Sequence, residues 1–129
     1  MGKKKAADVD PRLAKLIAIC ESLPGASHEA WFDHHVFRIG KKTIAYFLNN
    51  HHGDGIISVC CKSTKLRQAE LVAGAPKKFY LPAYMAHQGW VGLRLDVKPV
   101  DWQEVATLMM AAYRLQATKK LLAMLESAK

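Results

Sequence analysis

The segment from residue 35 to residue 48, HVFRIGKKTIAYFL, places two apolar runs on either side of a Gly-Lys-Lys triplet. Runs of β-branched and aromatic residues separated by a short turn are typical of a β-hairpin. Pairing about either possible two-residue loop puts the same apolar side chains on one face: Phe37, Ile39, Ile44, Tyr46 and Leu48. We therefore predict an antiparallel hairpin with these side chains on its core face.

The flanking segments complete a pattern of helices and strands. Asp10 and Pro11 predict a helix start, as N-cap and first helical residue, and Pro24-Gly25 predicts its end. The other predicted elements are strands at 28–32, 56–61 and 90–97, an irregular loop at 74–89, and helices after Ser63-Thr64, Asp101 and Thr118. We predict an α+β two-layer sandwich, with an antiparallel sheet of about four or more strands and helices on one face. It forms a single domain at 10–127 after a basic, flexible lead at 1–9.

The charge of the chain is strongly basic and unevenly distributed. Its 129 residues include 19 Lys and Arg against 11 Asp and Glu, a formal net charge of +8. Between Arg38 and Lys98 there are ten basic residues and three acidic ones. This surplus favours polyanions, nucleic acid first and anionic membranes or acidic proteins after it, and a merely solvated surface is the alternative. No apolar run approaches the roughly 20 residues needed to cross a bilayer, so we predict no membrane association.

The chain has three cysteines, Cys20, Cys60 and Cys61. Three cannot form a complete disulfide framework, and adjacent side chains on a strand point to opposite faces. Buried thiols in a reducing compartment are therefore predicted, and with them a cytoplasmic protein.

The stretch LNNHHGDGI, residues 48–56, brings together His51, His52 and Asp54. A zinc site needs three or four converging ligands, and only one of two adjacent histidines on a strand can face it. The chain has no nucleophile-elbow sequence and no glycine-rich phosphate loop after a strand. Because Asn, Asp and Gly favour tight reversals, we predict a turn between two strands, no metal, no cofactor and no catalytic residue.

Five stretches resemble, in their order and spacing, the MmcQ/YjbR family: VFRIGKKTIAYF, NNHHGDG, PAYMAHQGWVGLRLD, DWQEVATLMMAAYRL and ATKKLLAML. The resemblance covers about Val9 to Leu125. It implies a frataxin-like (CyaY-like) α+β fold, also compared with a double-wing DNA-binding domain, and a DNA-binding role without catalytic residues. The chain departs from the family pattern at Ala86, Gln88 and Thr118, and Gln88 removes a possible phosphate contact.

Our first functional hypothesis is a small, non-enzymatic DNA-binding module, monomeric, that contacts phosphates through a lysine-rich face. The predicted contact residues are Lys41, Lys42, Lys62, Lys65, Arg67, Lys77, Lys78, Lys119 and Lys120. Lysine contacts to phosphate are independent of sequence, and bidentate base readout prefers arginine. Low sequence specificity and a steep dependence on salt are therefore expected.

Two alternatives use the aromatic and histidine residues instead. A protein-interaction or chaperone-like module would present a sheet, or a loop carrying Tyr80, Tyr84, Met85 and Trp90, to a protein partner. A small-ligand domain would line a pocket with His51, His52, Tyr84, His87 and Trp90. The second alternative requires the 51–54 turn and the 84–90 loop to meet.

Overall fold

Six strands and four α-helices follow one another along residues 10–127, the part of the chain that the computed structural model describes. In chain order they are α1 (Pro11–Glu21), β1 (Ala26–Trp31), β2 (His34–Ile39), β3 (Lys42–Asn49), β4 (Ile57–Cys61), α2 (Lys65–Gly74), β5 (Phe79–Tyr80), β6 (Val91–Arg94), α3 (Trp102–Gln116) and α4 (Lys119–Ser127). The predicted basic lead at 1–9 and the side chain of His52 lie outside the described part.

Each helix begins at a capping side chain, because an oxygen there can accept a hydrogen bond from an otherwise unpaired N–H of the first turn. The Asp10 carboxylate accepts from the Arg12 N–H at 2.8 Å. Helices α2, α3 and α4 begin in the same way, with a first-turn N–H donating to the side chain of Thr64, Asp101 and Thr118, respectively. The helix starts predicted from the sequence are thus confirmed.

All strand pairs are antiparallel, in the order β1-β2-β3-β4-β6-β5. The helices pack against one face, so the predicted α+β two-layer architecture is confirmed. The 74–89 segment is not wholly irregular, since Phe79 and Tyr80 pair with β6 as a sixth strand. Two residues are too few to show an alternating pattern in a sequence, which is why this strand was missed.

The main core lies between the sheet and the helices. The apolar residues of α3 that recur at helical spacing are buried there: Val105, Leu108, Met109, Ala112 and Tyr113. All four helices contribute apolar side chains to this core, α2 and α4 mainly through partly buried residues such as Leu71 and Leu122. The Tyr113 hydroxyl donates to the Pro24 carbonyl at 2.6 Å, which ties the end of α3 to the loop before β1.

The ladder between β2 and β3 contains a β-bulge. Phe37 pairs with Ala45, and the next pair along the ladder skips Ile44. One extra residue shifts the alternation of side chains for the rest of β3. Tyr46 and Leu48 therefore lie on the face opposite Phe37. The prediction that they share its core face was wrong.

The second face of the sheet has a smaller apolar cluster of its own, with no helix contributing to it. Leu48, Cys60 and Trp90 are buried there, and Tyr46, Tyr80 and Met85 pack against them. We call this helix-free side of the sheet the open face. The loop at 81–89 covers part of it. Within residues 10–127, no helix combines the length and apolar character needed to span a membrane.

The loop at 81–89 is fastened to α2 by a buried amide. The Gln68 side chain donates to the Ala86 carbonyl at 2.8 Å and to the Trp90 carbonyl at 2.6 Å. Gly89 has a φ of +92°, and a Cβ there would lie 2.7 Å from the Ser63 carbonyl oxygen. Both the backbone angle and the close approach require glycine. The loop therefore has a fixed position beside the start of α2.

Candidate functional site

One end of the sheet carries four of the predicted contact lysines. Lys41 and Lys42 lie at the tip of the β2–β3 hairpin. The Lys62 N–H donates to the Ile44 carbonyl at 2.9 Å, so the end of β4 lies beside the start of β3. Lys65 follows directly as the first residue of α2. The hairpin tip and the α2 N-terminus thus share one end of the sheet.

The start of α4 lies at the same end. Leu121 lies against Gly25, because a Cβ on Gly25 would be 2.8 Å from the Leu121 side chain. The residue after Gly25, Ala26, pairs with Ile39, which is next to the hairpin tip. Lys119 and Lys120 precede Leu121 in the first turn of α4. We call this set the lysine end: Lys41, Lys42, Lys62, Lys65, Lys119 and Lys120.

Two of the other three predicted contact residues lie at the opposite end of the sheet. The Lys78 carbonyl accepts from the Arg94 N–H at 2.8 Å, which places Lys77 and Lys78 at the opposite end of the sheet. The Lys78 ammonium also lies 2.7 Å from a Glu104 carboxylate oxygen. Arg67 lies in the first turn of α2, two residues after Lys65, and pairs with Glu70 at 3.8 Å. The structure therefore groups six lysines with the ion-paired Arg67 beside them, and separates Lys77 and Lys78 from this group.

The six amines of the lysine end carry uncompensated charge. None of the ion pairs formed among residues 10–127 involves one of these lysines. Five of the six are exposed, and Lys62 is half-buried. Like charges grouped without carboxylate partners raise a positive potential that attracts polyanions.

The 51–54 turn does meet the loop after β5. A cavity of about 120 Å³ lies between them, and its lining includes His51, Asp54, Tyr80 and Met85. The ligand-binding pockets of proteins usually hold about 300–1,000 Å³. Of the other predicted lining residues, Tyr84 and His87 are exposed and Trp90 is buried. Among the predicted residues whose side chains the structure describes, His51 is the one that lines this small cavity.

Two pairs of histidines lie along β1, β2 and the 51–54 turn. The Nδ1 of His34 accepts the Asn49 N–H at 3.1 Å, so a neutral His34 carries its proton on Nε2, which lies 3.2 Å from the Nδ1 of His51. In the second pair, His28 Nδ1 lies 2.9 Å from His35 Nε2. Among the residues described, no three His, Cys, Asp or Glu side chains converge as metal ligands would.

Burial keeps the thiols protonated. It raises the pKa of Cys20 and Cys60 to about 11 each, and that of Cys61 well above its ordinary value. The Tyr80 hydroxyl lies 2.7 Å from Ser58 Oγ and 3.4 Å from Cys60 Sγ, and burial raises its pKa as well. A protonated thiol is a poor nucleophile. The Ser58–Tyr80–Cys60 contacts are those of a buried structural network.

The open face carries a strip of aromatic rings that we did not predict. Ring centroids are 6.4 Å apart for Phe32 and Trp31, 5.7 Å for Trp31 and Tyr46, and 5.6 Å for Tyr46 and Trp90. Phe32 is 91% exposed and Trp31 is 41% exposed. We call these four residues the aromatic strip. It offers accessible aromatic surface at the β1 edge of the sheet.

A sequence profile of the YjbR family matches residues 21–115, about three quarters of the chain. The chain belongs to the YjbR family. The solved structures include a similar protein, Deinococcus radiodurans protein DR2400, described with a DUF419 domain. It has 22% sequence identity and a TM-score of 0.67, with 88% of this chain and 87% of that chain covered. At this identity, the likeness shows a shared fold. No curated protein matches the chain significantly.

In this YjbR-family chain, one feature hid part of the aromatic strip from the sequence prediction. The β-bulge at Ile44 moves Tyr46 to the open face, and a single sequence does not reveal a bulge. Trp31 and Phe32 did offer a usable signal. Adjacent residues on a strand point to opposite faces, so one of these rings was expected on the face away from the main core.

Proposed function

We propose that this YjbR-family domain is a DNA-binding module that contacts phosphates through the lysine end, with low sequence specificity. The observation that supports the proposal most directly is the grouping of six lysines without a carboxylate partner among the described residues. Each lysine that neutralises a phosphate releases condensed counterions, which gives affinity without sequence readout. The two arginines next to the lysine end, Arg38 and Arg67, pair with Glu29 and Glu70. Arginine is the side chain that reads guanine most often.

Two helix starts strengthen the lysine end as a phosphate-binding surface. Helices α2 and α4 both begin there, at Lys65 and Lys119. The first N–H groups of a helix point outward, and the helix dipole favours negative charge near them. Phosphate oxygens could therefore accept backbone hydrogen bonds in addition to their ion pairs with lysine.

We further propose that the domain is not an enzyme. The thiols are protonated, and the Ser58 hydroxyl contacts Tyr80 and Cys60 instead of a histidine. Nucleophilic catalysis by serine needs an adjacent general base. The three cysteines are buried and unpaired, which fits a reducing compartment, and we propose a cytoplasmic location for a monomeric protein.

A protein-interaction role is the second candidate, and exposed apolar side chains on the loop at 81–89 favour it. Leu81 is 56% exposed and Tyr84 is 82% exposed. Aromatic residues are enriched at protein interfaces. Under this alternative, the Tyr84→Ala variant would lose a co-purifying protein partner, while a Lys41→Ala/Lys42→Ala variant would retain it.

A pair of matched double variants tests the DNA-binding proposal. Lys41→Ala/Lys42→Ala removes two charges from the lysine end, and Lys77→Ala/Lys78→Ala removes two from the opposite end. Fluorescence anisotropy with a labelled DNA duplex at low salt measures both affinities. We expect a clearly larger loss for the first variant. Equal losses, or no binding by the unmodified protein, would contradict the proposal.

A further inference from the structure

We propose that the open face binds single-stranded nucleic acid, with unpaired bases stacking on Trp31 and Phe32 of the aromatic strip. This inference rests on the proposed function and adds to it the class of nucleic acid. It concerns a surface that the lysine-based hypothesis did not use. Base stacking on aromatic side chains tolerates any sequence, because every base has a π-face.

The exposure of Phe32 is unusual for an apolar side chain of its size. The residue has a φ of +55° in the two-residue connection between β1 and β2. A bulky residue rarely adopts this backbone conformation, which costs free energy, and such residues occur preferentially at functional sites. The chain thus holds a large ring in water at a strained position. Burial in the core compensates for neither the backbone strain nor the exposure of the ring to water, whereas contact with a ligand would.

The neighbouring rings give the exposed pair a firm support. Trp31 is the last residue of the edge strand β1, and its ring lies 5.7 Å from that of Tyr46 in β3. Tyr46 contacts Trp90, which is buried. Close packing fixes the orientation of a side chain before a ligand arrives, which lowers the entropic cost of binding.

The strip also leads toward the lysine end. Trp31 lies on β1 near the β1–β2 turn, whereas Trp90 immediately precedes β6 at the other end of the sheet. From β1 to β6 the strip crosses four strand spacings, roughly 19 Å. A Cβ on Gly89, beside Trp90, would lie 3.2 Å from the backbone nitrogen of Lys65. A strand along the aromatic strip would therefore reach Lys62 and Lys65 with its phosphates.

The open face also carries cationic side chains. By strand alternation, Arg38, Arg94 and Lys62 belong to this face. Glu29 pairs with Arg38 and Asp96 pairs with Arg94, whereas Lys62 takes part in none of the ion pairs among residues 10–127. A shallow depression between Trp31, Arg38 and Tyr46 lies along the strip. Cationic and aromatic groups side by side are the usual combination in proteins that bind single strands.

The geometry favours a single strand over a duplex. In a duplex, each base is covered by its neighbours, so a flat ring on a protein surface can reach only the ends. In a single strand the bases are free to unstack from each other and stack on aromatic side chains. A duplex would still bind the lysine end, because lysine contacts require phosphates alone.

The experiment compares one oligothymidine strand of about 12 nucleotides with a duplex of the same length, by anisotropy at fixed salt. We expect Trp31→Ala to weaken single-strand binding by about 5- to 100-fold and to leave duplex binding unchanged. Phe32→Ala should act in the same direction, and we expect this variant to fold because the Phe32 side chain is 91% exposed. Leu115→Ala is the control, since Leu115 is 47% exposed on α3 at the helix side of the sheet.

Trp31→Phe separates stacking from a general effect of mutation. The phenylalanine ring should preserve most single-strand affinity, while the quenching of tryptophan fluorescence by the strand should fall. If the protein binds the duplex but Trp31→Ala and Phe32→Ala keep the single-strand affinity of the unmodified protein, this inference is overturned and the proposed function stands. Single-strand affinity that falls as much in Leu115→Ala would also overturn it. Binding to anionic phospholipid vesicles without binding to either nucleic acid would overturn both proposals.

Discussion

The phenol ring of Tyr80 lies directly against the backbone of Gly92, its partner across the β5–β6 ladder. A Cβ on Gly92 would lie 2.5 Å from the Tyr80 Cζ atom, which is well inside contact distance. This close approach lets the Tyr80 hydroxyl reach Ser58 Oγ at 2.7 Å, across the intervening strand. A glycine in the middle of a strand thus joins the short edge strand β5 to the centre of the open face.

We expect Gly92→Ala to destabilise the protein by roughly 1–3 kcal/mol, because the added methyl group must displace the Tyr80 ring. Gly74→Ala is the matched control. Gly74 is the last residue of α2, and nothing lies within 4 Å of a Cβ placed there. Urea unfolding followed by circular dichroism measures both changes. A Gly92→Ala variant as stable as the control would contradict the packing described here.

The buried histidine predicts a loss of stability in mild acid. Burial, and then the neighbouring His28, lower the pKa of His35 from its ordinary 6.5, while Glu29 acts in the opposite direction. The unfolded chain therefore binds this proton more readily than the folded protein. The contribution of neutral His35 to the free energy of unfolding is fully present above about pH 6.5. It decreases as the pH falls through that value toward the lower pKa of His35 in the folded state.

The His35→Gln variant tests this linkage, because glutamine does not titrate. Chemical unfolding at several pH values between neutral and mildly acidic gives the free energy of unfolding as a function of pH. We expect a shallower decline for His35→Gln than for the unmodified protein. His87→Gln is the control, since His87 is exposed. If the free energy of unfolding falls with pH equally in His35→Gln and in the unmodified protein, His35 is ruled out as the source of the acid-induced loss of stability.

The cysteines should resist modification in the folded state. Because burial raises the pKa of Cys20 and Cys60 to about 11, almost no thiolate is present near pH 8. We expect an aromatic disulfide reagent to react slowly with native protein and rapidly with all three thiols in denaturant. Absorbance of the released product gives both rates. Rapid labelling of native protein at any cysteine would show that this thiol is accessible.

The lysine end should also determine how binding depends on salt. Each phosphate neutralised in duplex DNA contributes about −0.9 to the slope of log K against log salt concentration. Lys41→Ala/Lys42→Ala should therefore make the slope shallower by up to about 2. Lys77→Ala/Lys78→Ala should leave it nearly unchanged, partly because Glu104 already pairs with Lys78. Slopes that shift equally in the two variants would place the phosphate contacts elsewhere.

Local interactions made much of the fold predictable. Helix starts depend on a capping side chain and its immediate neighbours, and Asp10, Thr64, Asp101 and Thr118 all fulfil that role. The buried stripe of α3 follows from helical spacing alone. The family, too, could be recognised from the order of its motifs. None of these features depends on contacts between distant parts of the chain.

The tertiary structure decided which charged and aromatic side chains share a surface. The sequence by itself determined that lysines exceed carboxylates and that helices pack on an antiparallel sheet. Only the fold decided that Lys119 lies at the same end as Lys41, that Lys78 is paired with Glu104, and that a bulge turns Tyr46 to the open face. The physical reason is distance along the chain. Capping and periodicity act within a few residues, whereas the grouping of charges and rings depends on strand register and helix docking, which the whole chain sets together.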